Sequence, residues 1–532
     1  MLFRSTINTA HKHKIMSLNM APLSVSAPVH KGQETAQIHR LSVDILFIIF
    51  SLLRDLEPVV AAENTIHSDE KVWQWYTVTH VCRYWRAAAI STPFLWSRLN
   101  FFQDPRKTES FLERSKNADL TIIATSDHLD DALSPAMQDC YVKILQCMHR
   151  IRSMHITFEA AMLWKEKHGS PAPRLRELAV SGGPFEQVGL TIDHSESAPL
   201  LESLDLSTFS TPNIISFSRH LKILSLKTIK DVPKLALLSA LASCQELTRL
   251  SLDFLSWADP TDMPLASTTA PTIFLPNLAF VFVGCSEPYM RGLEQVLEHI
   301  HFPNSTEWSI YSIAGDIGSL FEKRFYAGFT RKILQCQALE IIVSPRSFSL
   351  SSWNSMPDPR SVSAPSAKIL VGWLTLDSVD SIFTRIGASV AGCRWREAKV
   401  VKLQEVHFDE HVIGRECWEA VLRALPSTET LHMTTNPDTM GNLVTGLRVL
   451  THQQVEEDSD KDCVCPRLRH LSTVIHSGSR DVISCLKEGL QNRRRLGLEI
   501  KEISITCKSI SKANRGELKV LSDLVETMNV YR

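Results

Sequence analysis

Three short segments decide the fold of this chain: LESLDL at 201–206, LKILSL at 221–226 and LTRLSL at 247–252. In each segment one apolar residue is followed by two others, three and five positions later, with polar residues between them. The last two apolar positions are two residues apart, so they point to the same face of a short strand, while the first packs the turn before it. We interpret each segment as one unit of a repeat.

Similar units recur along most of the chain, with starts about 20 to 40 residues apart, which is a spacing typical of solenoids. The further units read Ile151/Met154/Ile156, Leu175/Leu178/Val180, Leu278/Val281/Val283, Trp308/Tyr311/Ile313, Leu339/Ile342, Val371/Leu374/Leu376, Leu403/Val406/Phe408, Leu431/Met433, Leu468/Leu471/Thr473 and Ile500/Ile503/Ile505. Helix-like stretches lie between several of them, as at 232–243, 290–301, 418–425 and 481–490. A repeated strand and helix predict an α/β solenoid with parallel strands on the concave face and helices on the convex face.

The repeats divide the rest of the chain into segments. Residues 146–532 are predicted to form the solenoid, residues 101–145 a helical linker or cap, and residues 38–100 a separate small domain of short helices. Two stretches of the solenoid, 344–366 and 452–464, lack apolar periodicity and are predicted to be inserted, solvated loops. A phosphorylation or partner-recruiting role for these loops is the alternative.

The first 37 residues are predicted to be a disordered polar tail. They carry Arg4, Lys12 and Lys14, and the first acidic residue is Glu34, a bias that also occurs in mitochondrial transit peptides. No sustained amphipathic period runs through the segment, so we favour the disordered tail.

Composition narrows the class of protein. The chain has 532 residues with 57 Lys+Arg against 58 Asp+Glu, so no charge excess favours nucleic acid or a membrane surface as a partner. The longest strongly apolar run, 45–53, is about half of what a membrane-spanning helix needs. Twelve cysteines without dense short spacings indicate reduced thiols. We therefore expect a cytoplasmic or nuclear protein.

The small domain carries more apolar surface than about sixty residues can bury. Large apolar residues fall at helical spacings from Leu41 to Leu53, where Ser42 can cap the first turn, and again from Trp73 to Ala89. The surplus predicts a partner surface. The alternative is that the surplus packs against the following domain.

Two stretches of the small domain resemble an F-box, specifically the F-box-like form common in fungal proteins. They are IHRLSVDILFIIFSLL at 38–53 and VTHVCRYWRAAAISTPFLWSRL at 78–99. The second stretch matches the family pattern Val-Cys-(Arg/Lys)-x-Trp and Thr-Pro-x-Leu-Trp. The first departs from it, because Ser42 stands where the family has proline and Asp44 where it usually has glutamate. The repeat units resemble the leucine-rich repeats that commonly follow an F-box.

The resemblance implies a non-enzymatic substrate receptor of an SCF-type, cullin-RING ubiquitin ligase. In this class the F-box binds a Skp-family adaptor, and the repeats bind a protein destined for ubiquitin-dependent degradation. The implied adaptor-binding residues are Leu41, Ile45, Leu46, Ile49 and Phe50, and the implied F-box core is Val81, Cys82, Trp85, Pro93, Leu95 and Trp96. Ser42 in place of proline leaves the chain freer before docking, so we expect adaptor binding to weaken by about 0.5–1 kcal/mol. The alternative function is a protein-interaction scaffold outside the ubiquitin system, in which the F-box-like helices only cap the solenoid.

Motifs for catalysis, cofactors and metals give no site in the sequence. The residues lack a Gly-x-Ser-x-Gly elbow, a P-loop and a His-Glu-x-x-His motif. His407, Asp409 and His411 lack a fourth nearby ligand, Cys463 and Cys465 lack a second pair, and the basic run 493–495 is typical of a solvated helix end or a nuclear-import patch. Hot spots for a bound protein would be aromatic or His side chains on the inner face, although a core position is the more frequent role for each. The candidates are Tyr311, Trp373, His407 and Trp418.

Overall fold

The structure is a computed structural model of the chain. It describes residues 41–56, 75–100, 105–124, 135–157, 171–182, 191–193, 198–208, 213–258, 272–303, 305–313, 334–344, 347–354, 365, 367–372, 395–405, 421–434, 465–475, 480–507 and 512–531. The predicted tail, 1–37, and the predicted loop, 452–464, lie outside these residues.

The chain divides into two compact units. The described part of the first unit is residues 41–56 and 75–92, and the described part of the second unit begins with Pro93. The first unit contains helix α1, a 3-10 turn and helix α2, whose bounds are Val43–Leu56, Trp75–His80 and Arg83–Ile90. The turn Pro93–Trp96, which the sequence assigned to the F-box-like domain, belongs to the second unit.

The second unit is a mixed α/β structure, and the sequence analysis predicted this fold class. Its helices are α3 Pro105–Ser115, α4 Pro135–Leu145, α5 Lys234–Ala242, α6 Glu287–Glu298, α7 Arg480–Arg495 and α8 Lys512–Ser522, with a 3-10 turn at Met148–Arg150. Three of the predicted helical stretches overlap α5, α6 and α7.

Seventeen of its strands form one large, mostly parallel sheet within the described residues. Their bounds are β1 Arg98–Asn100, β2 Leu120–Ala124, β3 Ile151–Thr157, β4 Glu177–Ser181, β6 Ser203–Ser207, β8 Ile223–Lys227, β9 Arg249–Asp253, β11 Phe280–Ser286, β13 Glu307–Ile313, β14 Ala338–Ser344, β15 Ser347–Trp353, β16 Ala367–Gly372, β17 Val400–Glu405, β18 Thr430–Thr434, β19 His470–Ile475, β20 Glu502–Cys507 and β21 Thr527–Tyr531. Two small parallel pairs stand apart from this sheet: β5 Thr191–Asp193 with β7 Asn213–Ser216, and β10 Ile273–Phe274 with β12 Ile300–His301.

The strands of the large sheet pair almost in chain order. The order is β1-β2-β3-β4-β6-β8-β9-β11-β13-β16-β15-β14-β17-β18-β19-β20-β21. Strand β15 is antiparallel to both its neighbours, and every other pair is parallel. The order is reversed at one place only among the described strands, where β16, β15 and β14 lie between β13 and β17.

Register places the apolar residues of successive units in two columns across the sheet. One column runs Met154-Leu178-Leu204-Leu224-Leu250-Val281-Trp308, and the next runs Ile156-Val180-Leu206-Leu226-Leu252-Val283-Ile310. All of these side chains are buried. Because side chains alternate along a strand, both columns lie on one face of the sheet, and this face is the core of the second unit.

The first apolar position of each unit closes a turn before its strand. The backbone N–H of Leu201, Leu221 and Leu247 donates to the carbonyl three residues earlier, at 3.1 Å in each case. The next residue then donates to the turn before the neighbouring strand, as Lys222 N does to Glu202 O at 2.7 Å. These bonds satisfy the backbone of the turns, so buried turns of this kind can be stacked.

Several predicted units are out of phase with the structure and are corrected here. In the predicted unit Trp308/Tyr311/Ile313, the buried partner of Trp308 is Ile310, and Tyr311 lies on the other face of the sheet. Leu403/Val406/Phe408 begins on the last residue of the buried unit Ala398/Val401/Leu403. In Leu339/Ile342 the buried partner of Leu339 is Ile341. The predicted unit at Val371 extends past β16, which ends at Gly372.

Two boundaries also need correction. The sheet begins at Arg98 with β1 and β2 rather than at residue 146, so the segment predicted as a helical linker or cap contains β2 between α3 and α4. The segment 344–366, predicted to be a solvated loop, contains strand β15, where Ser349, Leu350, Ser351 and Ser352 are buried. Phe348 and Leu350 alternate with serines in this strand, and the many serines of the segment led to the prediction of a loop.

Candidate functional site

Helix α1 begins at the predicted cap. The hydroxyl of Ser42 accepts from the Ile45 backbone N–H at 3.4 Å, and its carbonyl accepts from Leu46 N at 3.0 Å. Capping by Ser42 therefore replaces the rigidity that proline would give at this position. Farther along, the Tyr84 hydroxyl of α2 donates to the Leu41 carbonyl at 2.9 Å and ties the two helices together at this end.

One face of α1 is buried in the first unit. Leu46 and Phe50 lie one turn apart and are fully buried, and the Phe50 ring meets the Trp85 ring of α2 edge-on with centroids 5.2 Å apart. Arg54, a further turn along, is also buried, and its guanidinium donates to Asp55 Oδ1 at 2.8 Å. This stripe holds α1 against α2.

The opposite face of α1 is equally apolar but exposed. Ile45, Ile48 and Leu52, at spacings i, i+3 and i+7, are 45%, 56% and 59% exposed, and Val43 and Phe47 are exposed elsewhere around the helix. A helix with apolar residues on two opposite faces normally has both faces covered. We call the exposed stripe Ile45, Ile48 and Leu52 the α1 outer face.

The five residues implied to bind the adaptor therefore separate into two groups. Ile45 is exposed, Leu41 and Ile49 are half-buried, and Leu46 and Phe50 are in the core of the first unit. Sequence reasoning did not single out Phe47, Ile48 and Leu52 for this role. The relevant signal was the helical phase, since Ile48 and Leu52 lie opposite Leu46 and Phe50.

The residues implied to form the F-box core are mostly buried. Trp85 is buried in the first unit, and Leu95 and Trp96 are buried in the second. Cys82 is the N-cap of α2, where its Sγ accepts from Trp85 N at 3.4 Å, and Pro93 is half-buried. The prediction is wrong for Val81, which is not in the core: it precedes this cap, where the chain enters α2, and is 53% exposed.

Trp96 is fixed by helix α3. Its ring meets the Phe111 ring edge-on at 4.9 Å, and the Arg114 guanidinium lies 4.4 Å from the Trp96 ring centroid. Aromatic and cation–π contacts of this kind each stabilise by about 0.5–1.5 kcal/mol beyond the buried area. Trp96 thus has a structural role in the second unit.

The second face of the large sheet is polar and only partly covered. It carries serines in several successive strands, together with cross-strand ion pairs and hydrogen bonds. Lys227 Nζ donates to Asp205 Oδ2 at 2.8 Å, Ser153 donates to Glu177 at 3.0 Å, and Lys402 pairs with Glu340. Burial lowers the pKa of His155, which lies on this face near Glu177 and Asp205 and is neutral at physiological pH. This surface is suited to binding rather than to packing.

Of the candidate hot spots, Tyr311 is described and is on this second face. It is half-buried, and its ring meets the Phe254 ring edge-on at 5.8 Å. Trp373, His407 and Trp418 lie outside the described residues. Sequence reasoning missed Phe280 and Phe282 on the same face, because β11 is apolar on both faces and its alternation is hidden.

The candidate metal ligands His407, Asp409, His411 and Cys463 also lie outside the described residues. Among the residues that are described, no group of three or more His, Cys, Asp or Glu side chains could hold a metal ion. Cys465 is buried and its carbonyl accepts from Arg493 Nη2 at 2.8 Å. Arg493 is therefore a buried structural residue rather than part of an exposed basic patch.

Seven of the described cysteines are free thiols, and four of them are buried. Burial raises the pKa of Cys140 and of Cys244 to about 11, and that of Cys336 to about 12. A thiol with such a pKa is protonated at physiological pH and is a poor nucleophile.

Comparison with known proteins adds no family to this picture. No protein-family model matches the chain, and no curated protein matches it. The described helices include none with the length and apolar character that a membrane crossing requires. The F-box-like and leucine-rich-repeat resemblances therefore rest on the residues quoted for them.

Proposed function

We propose that this protein is a non-enzymatic substrate receptor of an SCF-type, cullin-RING ubiquitin ligase, acting in the cytoplasm or nucleus. In this proposal residues 38–100 are an F-box-like domain that binds a Skp-family adaptor. The large parallel sheet with its intervening helices is a leucine-rich-repeat solenoid, and its polar face binds the protein to be degraded. No cofactor, nucleic acid or membrane takes part.

The α1 outer face is the observation that carries the proposal. Five large apolar side chains are exposed on one 14-residue helix, and Ile45, Ile48 and Leu52 among them form one stripe. Exposed apolar patches of this kind mark protein-interaction sites. Ile45, Ile48 and Leu52 are about half exposed, so covering them fully would contribute about 0.8–1.5 kcal/mol each to docking.

The test is capture of the adaptor by the full chain. Purified wild-type protein is mixed with a purified Skp-family adaptor and cullin at physiological salt, and the bound adaptor is quantified. We expect the double variant Ile48→Asp with Leu52→Asp to reduce capture at least tenfold, because two charges would be buried without partners. The matched control is Ile223→Asp, a similarly exposed aliphatic residue in β8 of the second unit.

The result that overturns the proposal is equally specific. Absence of capture by the wild-type chain, or equal capture by the α1 variant and by wild type, contradicts adaptor docking and leaves the scaffold function. Phe50→Asp is unsuitable for this experiment, because Phe50 is buried and its replacement would unfold the first unit. Affinity purification with and without proteasome inhibition would then identify degraded targets.

A further inference from the structure

Strands β15 and β16 interrupt a sheet that is otherwise regular. Strand β13 pairs with β16, β16 with β15, β15 with β14, and β14 with β17. The two pairings that involve β15 are antiparallel, so β13 and β14 themselves run in the same direction. Without β15 and β16, the remaining described strands of the large sheet would follow one another in strict chain order and would all be parallel. We call β15 and β16 the inserted pair.

The connection between β13 and β14 has the length that joins directly paired strands elsewhere in the sheet. It runs from Ile313 to Ala338. The connection from Asp253 of β9 to Phe280 of β11 is similar in length, and β9 and β11 are adjacent parallel strands. The chain between β13 and β14 is therefore long enough for these two strands to pair directly.

The register of β13 already matches that of β14. Trp308 of β13 lies in one row with Leu339 of β14, and the two positions between them in the inserted pair are Ala367 and Ser352. All four side chains are buried on the core face of the sheet. Removal of the inserted pair would bring Trp308 opposite Leu339 without moving either strand along its own axis.

The inserted pair contributes little apolar surface to the core. Its residues in the buried row are Ala367 and Ser352, which are smaller than the residues on either side of them. Strand β15 also buries Ser349 and Ser351 on the polar face of the sheet, next to one large buried side chain, Leu350. Small and polar side chains gain less than leucine from burial, so hydrophobic contact holds these strands less firmly than it holds β8 or β9.

We propose that the inserted pair is a removable element, and that the sheet has a second arrangement in which β13 pairs directly with β14. Strands β15 and β16 leave together, because they are paired with each other. The parts of the sheet on either side then approach by two strand spacings, about 10 Å. A minor conformation of this kind is typically populated at about 0.1–10%.

Removal of the inserted pair changes the polar face of the sheet. This face loses two strands, and the side chains of β13 and β14 become direct neighbours on it. A protein bound across this part of the face would therefore favour one arrangement over the other, and its binding would shift the balance between them. The device belongs to the sheet alone and does not depend on adaptor docking.

Disulfide trapping in the full chain, without denaturant, distinguishes the two arrangements. The test variant is Ser309→Cys with Glu340→Cys, two positions in one row on the polar face with the inserted pair between them. Three strand spacings separate their Cα atoms by about 14 Å, and direct pairing would bring them to about 5 Å, which a disulfide can span. Under mild oxidation we expect a disulfide between positions 309 and 340, identified by mass spectrometry of the digested protein.

The matched control is Ser309→Cys with Lys402→Cys. Lys402 is the register partner of Glu340 in β17, so it stays two strand spacings from Ser309 even in the second arrangement, at about 10 Å. A disulfide between positions 309 and 402 would therefore report general unfolding. The proposal is overturned if positions 309 and 340 form no disulfide, or form it no faster than positions 309 and 402.

Ser352→Asp, added to each of the two cysteine pairs, shifts the balance between the arrangements. Ser352 is fully buried in the inserted pair, and an unpaired carboxylate there disfavours insertion. We expect the disulfide between positions 309 and 340 to form about tenfold faster, while the rate for positions 309 and 402 stays unchanged. Equal acceleration of both disulfides, or acceleration of neither, contradicts removal of the inserted pair as a unit.

Discussion

Strand β8 and helix α1 distribute similar side chains in different ways. In β8 the leucines Leu224 and Leu226 are buried on one face of the sheet, and Ser225 and Lys227 lie on the other. In α1 buried and exposed faces are both apolar, since Leu46 is buried while Ile48 and Leu52 are exposed. Side chains alternate along the strand, so its apolar residues lie on one face and its polar residues on the other. Its leucines are covered within the second unit. The helix has a second apolar face that the described residues of its own unit leave exposed.

The largest effect should come from the buried face of β8. Leu224→Ala removes a fully buried side chain and should lower the free energy of unfolding of the second unit by about 2–5 kcal/mol. Ile223→Ala, the preceding and exposed residue, should cost about 1 kcal/mol or less. Urea unfolding of both variants measures the difference. Similar losses for the two would contradict the one-sided core of the sheet.

A smaller difference is expected between the two faces of α1. Leu46→Ala should destabilise the first unit by about 2–3 kcal/mol, because a small unit relaxes around the cavity more readily. Leu52→Ala should change stability by less than about 0.5 kcal/mol. Hydrogen-exchange mass spectrometry of residues 43–56 reports this directly. If Leu52→Ala speeds exchange as much as Leu46→Ala, the α1 outer face is a structural contact.

The smallest effect concerns pH on the polar face of the sheet. Burial lowers the pKa of His155 below its ordinary value of 6.5, with Glu177 and Asp205 opposing the shift, so the unfolded chain binds the proton more tightly. The stability that comes from neutral His155 is present above pH 6.5 and is lost as the pH falls below it. His155→Gln should therefore lose less stability than wild type between about pH 7.5 and about pH 5.5. A larger loss in the variant would reverse the assigned direction.

The same comparison explains what the sequence could predict. Units between Leu175 and Leu252 were placed correctly because polar residues separate their apolar positions. Near Trp308 the phase was lost, since Tyr311 and Ile310 are both apolar and adjacent. Units that begin with small residues were missed or shifted, as at Ala398, because alanine gives no strong apolar signal.

For α1 the sequence predicted a surplus of apolar surface but not which face of the helix is exposed. Asp44, Ser51 and Asp55 mark one polar edge of α1, with apolar residues on both sides of it, so composition alone does not tell whether Leu46 or Ile48 is buried. The close approach of Gly284 in β11 to Asp253 in β9 was beyond sequence reasoning for another reason. It depends on the register of β9 and β11, which is a long-range pairing.

The reversed order of β16, β15 and β14 has a consequence for how this protein folds. On either side of it, neighbouring strands are joined by about 15 to 35 residues, so each half of the sheet can grow by adding one strand to the next. At the reversal, β13 must pair with β16 across the chain from Ile313 to Ala367, and β14 with β17 from Ser344 to Val400. Closing two such longer, overlapping loops costs more entropy than adding a neighbouring strand. The halves before and after the reversal are therefore expected to form first, and the junction between them to form last and open first.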